Sequence, residues 1–259
     1  MTLEVQNFSK RYGGLIAVDR VTLTATPGDI TALIGPNGAG KTTLLNLISG
    51  VIMTDGGECL LFGESVAGRT PHELAHLGLT RTYQSPQLFD EMNVLETVMV
   101  GAHQHGTAGF ISSMFRMRRT RKEETRLEEQ ALRAIERVGL PRSLLLRPAV
   151  DLAYGLQRRV EIARALAMQP RVVLLDEPAA GLNQQEKREL ASLVQSLASD
   201  GLTVLLVEHD MDIVMGISQH VVVMNFGCKI AEGTPAEVQA NQAVIDAYLG
   251  VEAEEPADA

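Results

Sequence analysis

The sequence predicts an α/β fold in which a parallel sheet is preceded by an antiparallel β-layer and interrupted by a helical insertion. Three observations predict this arrangement. A glycine-rich turn joins a buried strand at Ile30–Ile34 to a helix that begins near Lys41. Strand-like and helix-like segments alternate again from Val172 onward, as they do in a parallel sheet. Between these regions, residues 89–151 hold few β-branched runs and show helical periodicity, which indicates the insertion.

Composition and charge limit the class of protein. The chain has 259 residues, of which 45% are hydrophobic, so it can bury a substantial core in one or two domains. A formal net charge of -9 argues against a general nucleic-acid binder. No apolar run approaches the roughly 20 residues that cross a bilayer, and residues 1–5 lack the features of a signal peptide. We therefore expect a cytoplasmic chain, and any membrane role must come through a partner.

The two cysteines form no recognisable metal or disulfide pattern. Cys59 and Cys228 are far apart in the sequence and have no CxxC spacing or histidine at ligand spacing. We therefore expect both to be small, buried apolar residues in a reducing compartment.

The first part of the chain alternates short strands and turns. Apolar alternation and turn residues predict, in order, a half-exposed strand over residues 3–8, a turn at 10–14, a strand over 16–26 and a turn at 27–29. The helix that follows Lys41 extends to about Ser49 and is stopped by Gly50. An Asp-Gly-Gly sequence at residues 55–57 predicts a hairpin turn, and a strand follows over residues 58–62.

Later segments carry start and stop signals. Thr70 and Thr234 each precede a proline and an acidic first turn, which predicts a helix start at both positions. Asn93 is the predicted cap of a third helix. A longer helix is predicted over residues 122–138, and its apolar face consists of Leu127, Ala131, Ala134, Ile135 and Val138. The remaining predictions are strands over residues 79–83, 172–175 and 202–207, a hairpin centred on residues 225–227 and a mobile acidic tail over residues 252–259.

The glycine-rich turn has the pattern and the setting of a phosphate-binding loop. Its residues, which we call the phosphate loop, are Gly35, Pro36, Asn37, Gly38, Ala39, Gly40, Lys41 and Thr42, with Thr43 next in the helix. They match G-x-x-x-x-G-K-[ST] between a strand and a helix, the context that supports this motif. Glycines let backbone N–H groups approach phosphate oxygens, and the helix N-terminus adds partial positive charge. Lys41 reaches the β- and γ-phosphates, and Thr42 offers a hydroxyl to Mg²⁺. The alternative is a chance match on a glycine-rich turn.

Polar residues follow three further predicted strands. Asp176 and Glu177 end a run of four apolar residues, so we expect them at the carboxyl edge of the sheet, beside the phosphate loop. Asp176 suits Mg²⁺, and Glu177 can orient and polarise an attacking water. Gln84 follows a short strand, where its amide can hold Mg²⁺ or water, and His209 follows another, where it can touch the γ-phosphate. Solvated acids at a strand end and a structural histidine are the competing interpretations.

A segment just upstream of the acidic strand carries a family resemblance. Residues 152–158 read Leu-Ala-Tyr-Gly-Leu-Gln-Arg and resemble the signature segment of ABC-type ATPases, Leu-Ser-Gly-Gly-Gln or Leu-Ser-Tyr-Gly. With the phosphate loop, Gln84, the two acids and His209 in family order, the match covers nearly the whole chain. The resemblance implies a P-loop NTPase of ABC type that forms a single ABC ATPase domain over residues 1–259. Its parts are a RecA-like core with an N-terminal antiparallel β-subdomain over residues 1–88 and 152–250, a helical subdomain over residues 89–151 and a mobile tail over residues 251–259.

The resemblance also implies how the residues work. In such proteins two subunits sandwich two ATP molecules, and the phosphate loop of one subunit faces the signature of the other. Tyr12 then stacks on adenine, for which a surface aromatic is the alternative. Gln84 is the sensing glutamine, Glu177 the catalytic base and His209 the switch histidine, while Mg²⁺ is held by Thr42, Gln84 and Asp176. The signature residues that face the other subunit's ATP are Ala153, Tyr154, Gly155 and Leu156, and a helix starting near Leu156 aims its N–H groups at that γ-phosphate.

Two positions depart from the common family pattern. Ala153 replaces the usual signature serine, whose hydroxyl donates to the γ-phosphate; a weaker dimer, slower turnover or reliance on a partner's intact signature are the possible consequences. Asn183 stands in the segment that crosses the dimer interface, where many members have aspartate. We still expect hydrolysis, because the backbone N–H groups and Glu177 remain.

Within the family, the sequence is similar to the LivG-type ATP-binding subunits of branched-chain (hydrophobic) amino acid importers. The similar stretches are residues 8–15, 81–84, 176–183 and 231–250, together with a long insertion over residues 102–121. This similarity implies a peripheral ATPase on the cytoplasmic face of the inner membrane. Its expected partners are two permease subunits, a solute-binding protein and a second ATPase that is an identical or a related chain. Urea and short-amide importers share much of the pattern. A non-transport ABC ATPase and a nucleotide-binding regulator without hydrolysis are two competing functions.

The insertion contains a basic run over residues 116–122. A solvated charge run is the ordinary interpretation, and proximity to anionic lipid or to the membrane partner is the functional one. The family resemblance further implies that the coupling helix of the membrane subunit docks on residues 84–100, with residues 85–89 supplying apolar contacts.

Overall fold

The computed structural model describes residues 2–103 and 118–249. Its strands are β1 (Leu3–Tyr12), β2 (Leu15–Ala25), β3 (Ile30–Ile34), β4 (Gly56–Leu61), β5 (Glu64–Ser65), β6 (Leu79–Arg81), β7 (Val172–Asp176), β8 (Thr203–Val207), β9 (His220–Asn225) and β10 (Cys228–Gly233). Its helices are α1 (Lys41–Ile48), α2 (Pro71–His76), α3 (Val94–Ala102), α4 (Arg118–Arg137), α5 (Tyr154–Ala167), α6 (Gln184–Ser199), α7 (Met211–Ile217), α8 (Pro235–Gln239) and α9 (Gln242–Leu249). Within the described ranges, each predicted strand and helix is present, although several ends are shifted.

The strands form two sheets of different kinds. A four-stranded sheet has the order β2-β1-β4-β5, and all its strand pairs are antiparallel. A six-stranded sheet has the order β10-β9-β3-β8-β7-β6 and is parallel except at one edge, where β10 pairs antiparallel with β9. The predicted α/β class and the antiparallel layer that precedes the phosphate loop are therefore confirmed.

Parallel pairing brings the predicted functional segments to one edge of the larger sheet. β8 lies between β3 and β7, so the carboxyl ends of these three strands are neighbours. Val207 at the end of β8 pairs with Leu33 on one side and with Asp176 on the other. The phosphate loop, Glu177 and His209 each leave the sheet at this edge, as ligand-binding segments of open α/β sheets do.

The central strands are apolar on both faces because each face is covered. In β7, Val173 and Leu175 belong to an apolar cluster that also includes the buried faces of α3, α4 and α5. Val172 and Leu174 point to the opposite face and pack with the antiparallel sheet and α1. The two-residue side-chain period of a strand thus divides one short segment between two cores.

The helix signals in the sequence correspond to real caps. Thr70, Asn93 and Thr234 each accept a hydrogen bond from the N–H of a glutamate three residues on, whose carboxylate in turn accepts from the cap N–H. The five apolar positions predicted to share one helical face are all buried; four lie in α4, and Val138 directly follows its last residue. They pack against α3 and α5, whereas the remaining described positions of α4 are mostly exposed.

Two turns differ from the prediction in the antiparallel sheet. β1 continues through the segment predicted as a turn to Tyr12, which pairs with Leu15 across a two-residue turn. β4 pairs with β1 rather than folding into a hairpin at residues 55–57. The reason is that the Asp55 carboxylate accepts from Lys10 Nζ and from the Arg11 N–H, each at 2.8 Å, and so ties the start of β4 to β1. The hairpin turn lies instead between β4 and β5.

Three smaller predictions are also corrected. β6 ends at Arg81 rather than at residue 83, because the Tyr83 N–H donates to Glu161 instead of continuing the sheet. The signature helix α5 begins at Tyr154 rather than near Leu156. Cys59 is buried, and burial raises its pKa to about 12, but Cys228 is exposed at the start of an edge strand.

The basic run at residues 116–122, most of the insertion at 102–121 and the acidic tail at 251–259 lie outside the residues whose side chains the structure describes. Across residues 2–103 and 118–249, no helix has the length and apolar character that a membrane span requires.

Candidate functional site

The phosphate loop follows β3 and leads into α1 in a conformation that requires glycine. Gly38 and Gly40 have φ values of 82° and 98°, in the left-handed region. A Cβ on Gly40 would lie 2.3 Å from the backbone oxygen of Ala17, and a Cβ on Gly35 would lie 2.1 Å from that of Met224. The N-cap of α1 makes no side-chain hydrogen bond, so the helix N-terminus presents its N–H groups and partial positive charge to the loop.

Lys41 is the first residue of α1 and is buried in the loop. Its Nζ donates to the backbone oxygens of Gly35 at 2.7 Å and Pro36 at 2.9 Å. Burial lowers the pKa of Lys41, and the negative charges of Glu177 and Asp176 act in the opposite direction. The ammonium group is therefore held inside the phosphate loop, close to both acids.

A cavity of about 760 Å³ opens over the loop. Its lining joins residues from distant parts of the chain: Tyr12, Gly14 to Ala17, Asn37, Gly38, Ala39, Gly40, Lys41, Thr42, Thr43, Glu177 and Phe226. The aromatic residues Tyr12 and Phe226 are 50% and 84% exposed, which gives the cavity an apolar rim. The sequence predictions included Tyr12 but not Phe226, although Phe226 lies in the hairpin turn that was predicted at residues 225–227.

Glu177 is the point at which the predicted catalytic residues meet. Its Oε2 accepts a hydrogen bond from Gln84 Nε2 at 2.8 Å and lies 3.8 Å from His209 Nδ1. Its φ of 46° is left-handed, an uncommon conformation for a glutamate and one of the kind that concentrates at functional sites. The Glu177 N–H donates to Val207 O at 2.9 Å, which holds this conformation against the end of β8. Three residues that the sequence placed after three different strands are therefore in one cluster.

Asp176 precedes Glu177 and is buried at the end of β7. Its Oδ2 accepts from Arg81, a residue that the sequence motifs did not indicate. The residues that would hold Mg²⁺ are Thr42, Gln84 and Asp176; Thr42 lines the cavity, and Gln84 is exposed. The described residues contain no group of three or more His, Cys, Asp or Glu that could hold a metal by themselves. This donor set fits Mg²⁺, which is usually bound through one or two carboxylates together with substrate phosphates.

Two buried glutamates fix the segments that carry these residues. Glu208 accepts from the Ala179 N–H at 2.7 Å and from the His209 N–H at 3.2 Å. Glu161 of α5 accepts from the Tyr83 N–H at 3.1 Å. Burial raises the pKa of both glutamates, and these hydrogen bonds act in the opposite direction. The buried glutamates thus anchor the backbone on either side of the Glu177 cluster.

Arg158 adds a second anchor to the segment that carries Gln84. Its side chain is almost completely buried, pairs with Glu161 at 3.1 Å and donates to the backbone oxygens of Tyr83 (2.8 Å) and Gln84. Helix α5, which begins with the signature, is therefore hydrogen-bonded directly to the backbone of residues 83 and 84. The sequence does not single out Arg158, because it stands beside Gln157 and Arg159 in a polar stretch of α5.

The signature residues lie apart from the cavity. Ala153 is the N-cap of α5 and makes no side-chain hydrogen bond; Ala153 and Tyr154 are exposed. The Tyr154 ring lies beside Gly181, and a Cβ on Gly155 would meet the Glu186 carboxylate of α6 at 2.6 Å. The space at Gly155 is therefore used for packing against α6. Leu156 belongs to the same surface, so none of the four signature residues lines the cavity of its own chain.

Asn183 has a clear structural role in this fold. It is the N-cap of α6, and its Oδ1 accepts from the N–H groups of Gln185 and Glu186 at 2.9 and 3.0 Å. Glu186 accepts in return from the Asn183 N–H at 2.9 Å. Asparagine and aspartate are about equally good N-caps, so the difference from many relatives leaves the helix start intact.

Two family models match the chain. One, described as "ABC transporter", matches residues 18–180. The other, described as "Branched-chain amino acid ATP-binding cassette transporter", matches residues 228–254. The first match spans the phosphate loop, the signature and the two acids, and the second covers the C-terminal region.

The similar proteins and solved structures are also ATP-binding subunits or cassettes of transporters. The chain is 44% identical to the high-affinity branched-chain amino acid transport ATP-binding protein BraF of Pseudomonas aeruginosa, over 96% of this chain and 97% of that protein. It is 43% identical to LivG of Escherichia coli strain K12, which has the same description and the same coverage. A crystal structure of the ADP conformation of an ATP-binding cassette of an ABC transporter superposes with a TM-score of 0.84 at 35% identity, covering 96% of this chain and 98% of that one. A nucleotide-free cassette superposes with a TM-score of 0.83 at 34% identity, covering 95% and 98%.

Proposed function

The chain belongs to the ABC transporter family of ATP-binding subunits, and on that premise we propose that it hydrolyses ATP to power an importer of branched-chain amino acids. The observation that carries the ATPase assignment is the Glu177 cluster, in which Gln84 and His209 converge on one carboxylate beside Lys41. The cargo assignment is supported by the names of the relatives and by the C-terminal family model.

Each residue of the cluster has a chemical task in this proposal. Lys41 and the N–H groups of the phosphate loop bind the β- and γ-phosphates, and Tyr12 receives the adenine ring. Glu177 takes a proton from the attacking water, which His209 and Gln84 help to position. Bound Mg²⁺ neutralises phosphate charge, and Thr42, Gln84 and Asp176 are the residues that would hold it. Gln84 donates to Glu177 in this structure, which supports a shared task for the two side chains at the attacking water.

The second half of the site comes from another subunit in this proposal. Ala153 to Leu156 do not line the cavity of their own chain, and the N-terminus of α5 has N–H groups without a side-chain cap. We assign these groups to the γ-phosphate of an ATP held by the phosphate loop of a second ATPase. Hydrolysis is then coupled to closure of the ATPase dimer.

The assembly and the division of the chain are part of the same proposal. We expect two permease subunits that dock near residues 84–100, a solute-binding protein, and a position on the cytoplasmic face of the membrane. The packing of α3 against α4 supports a helical subdomain at residues 89–151, between core segments at 1–88 and 152–250, and both helices also pack against α5 of the second core segment.

Phosphate release from ATP tests the enzymatic part of the proposal. Glu177→Gln should lower turnover by about 10²–10⁴-fold, the usual contribution of a general base, while ATP binding is retained. Glu129→Gln is the matched control, because Glu129 is an exposed helical carboxylate paired with Arg133. Turnover that survives in Glu177→Gln would show that the base has been assigned wrongly.

Transport in vesicles tests the cargo. The chain is reconstituted with its permease subunits and solute-binding protein, and ATP-dependent uptake of labelled leucine is compared with uptake of labelled urea. We expect leucine to accumulate and urea not to do so. Uptake of urea alone would overturn the cargo assignment and leave the ATPase assignment in place.

A further inference from the structure

Arg81 connects three elements of the candidate site from a buried position. It is the last residue of β6, and its side chain is 6% exposed. One terminal nitrogen, Nη2, donates to Asp176 Oδ2 at 2.9 Å. The other, Nη1, donates to Asn46 Oδ1 at 2.6 Å and to Ser49 Oγ at 3.1 Å, at the C-terminal end of α1 and just beyond it. β6, β7 and α1 are therefore joined through one guanidinium group.

Stability alone gives little reason for this arrangement. A buried ion pair loses the hydration of both charges, and apolar residues of similar volume often serve the fold equally well. Within the described part of the chain, Arg81 Nε is buried and has no hydrogen-bond partner, which adds a further cost. A charged side chain kept under these conditions, in contact with a carboxylate of the functional site, points to a role in that site.

The geometry shows what Arg81 can do for Asp176. The guanidinium contacts Oδ2, so it fixes the orientation of the carboxylate and leaves Oδ1 to another ligand. Two of the residues that would hold Mg²⁺ stand on elements joined in this way, Thr42 on α1 and Asp176 on β7, and the third, Gln84, lies three residues after Arg81. The guanidinium carbon also lies 5.2 Å from the centre of the Tyr83 ring, next to Gln84.

We propose that Arg81 is a positioning residue that presents Asp176 to the Mg²⁺ of a bound nucleotide. The proposal rests on the ATP and Mg²⁺ chemistry of the proposed function, and it adds a buried residue that orients one of the metal ligands. Residues that orient metal ligands typically change metal affinity by about 10–100-fold when they are replaced. Arg81 is expected to act on metal binding and not on the contacts that the phosphate loop makes with phosphate.

The experiment separates metal binding from nucleotide binding. Mn²⁺ is titrated into the protein with a non-hydrolysable ATP analogue, and free Mn²⁺ is followed by electron paramagnetic resonance. Arg81→Met should raise the Mn²⁺ concentration at half-saturation about tenfold or more, and Arg81→Lys by a smaller factor. The affinity for the analogue in EDTA should change by less than about twofold in both variants, because the metal-free contacts are untouched. Arg137→Met, which removes an arginine from an exposed pair with Asp200, should match the wild type in both measurements.

A double-mutant cycle with Asp176→Asn tests whether Arg81 acts through Asp176. If it does, Arg81→Lys should not raise the Mn²⁺ half-saturation further in the Asp176→Asn background. This cycle also answers the question if Arg81→Met does not fold, since Arg81→Lys keeps the charge. An unchanged half-saturation in folded Arg81 variants, or equal losses with and without metal, would overturn the proposal. A wild-type protein that binds no analogue would instead contradict the proposed function.

Discussion

The N-termini of α1 and α5 both lack a side-chain cap, but they differ in the side chains that surround them. Neither N-cap residue, Gly40 or Ala153, makes a side-chain hydrogen bond to its helix. Five other helices begin with a side chain that accepts from first-turn N–H groups, namely those of Thr70, Asn93, Asn183, Asp210 and Thr234. Compared with these capped helices, α1 and α5 leave their first-turn N–H groups without a side-chain acceptor, and we assign both to phosphate, since free N–H groups suit an anion.

The difference between them lies in their side chains. Beside α1 are the Lys41 ammonium, the Thr42 hydroxyl and the Glu177 carboxylate. The start of α5 offers alanine, a tyrosine that packs beside Gly181, glycine and leucine. One terminus therefore combines backbone and side-chain chemistry, whereas the other presents backbone groups on a packed surface. Side-chain changes should accordingly cost function at α1, and should act through packing and capping at α5.

The largest effect is expected from Lys41→Met. The ammonium is the charged donor of the phosphate loop, and a hydrogen bond to a charged group contributes about 1.5–3 kcal/mol. ATP binding measured by calorimetry should therefore weaken by roughly tenfold to more than a hundredfold. The melting temperature should not fall, because the variant no longer buries a charge whose pKa is lowered by that burial. Lys229→Met, at a partly exposed pair with Glu232, is the control. If Lys41→Met bound ATP as tightly as this control, the lysine that distinguishes the N-terminus of α1 from that of α5 would contribute nothing to phosphate binding.

A smaller effect, on stability, is expected from Gly155→Ala. The added Cβ would lie 2.6 Å from Glu186 Oε1 and 2.9 Å from its Cδ, so Glu186 must leave the cap of α6. Loss of a cap interaction costs about 0.5–2 kcal/mol, which chemical denaturation can measure. The cost should be smaller in a Glu186→Ala background, where the contact is absent.

Gly216→Ala is the matched control for this change. Gly216 lies inside α7, and a Cβ there would meet nothing within 4 Å. This variant should be as stable as the wild type or more stable, because alanine favours a helix over glycine by up to about 1 kcal/mol. Equal losses from Gly155→Ala with and without the Glu186 side chain would contradict the packing account of Gly155.

The sequence predicted the local elements well because their causes are local. The capping boxes at Thr70, Asn93 and Thr234 depend on residues three positions apart, and the apolar face of α4 follows from a 3.6-residue period. The errors came from contacts between distant segments. Asp55 was assigned to a turn, but it bonds Lys10 and Arg11 some 45 residues earlier in the chain.

In the candidate site, too, the local motifs could be predicted and the contacts between distant segments could not. The phosphate loop and the Asp176-Glu177 pair were recognisable, since each is a short motif at the end of an apolar strand. The anchors behind them were not recognised. Arg81 and Arg158 become significant when the fold shows that they are buried and that they bond to Asp176 and to the Gln84 segment. Burial of a charged side chain is a property of tertiary packing, so a local motif cannot report it.

The smallest effect is expected from Ala153→Ser, which makes the start of α5 resemble the other capped helices. The backbone of Ala153, with φ -57° and ψ 146°, already has the extended form of an N-cap, so serine fits without strain. A serine cap should stabilise the isolated chain by about 0.5–1 kcal/mol in chemical denaturation, whereas Ala153→Val, which has no hydroxyl, should not. In the assembled complex, phosphate release should be preserved or rise, because the same hydroxyl can turn from the helix to the γ-phosphate of the facing subunit. A clear loss of activity in that complex would mean that the alanine is required at the interface, and that this terminus depends on more than its backbone.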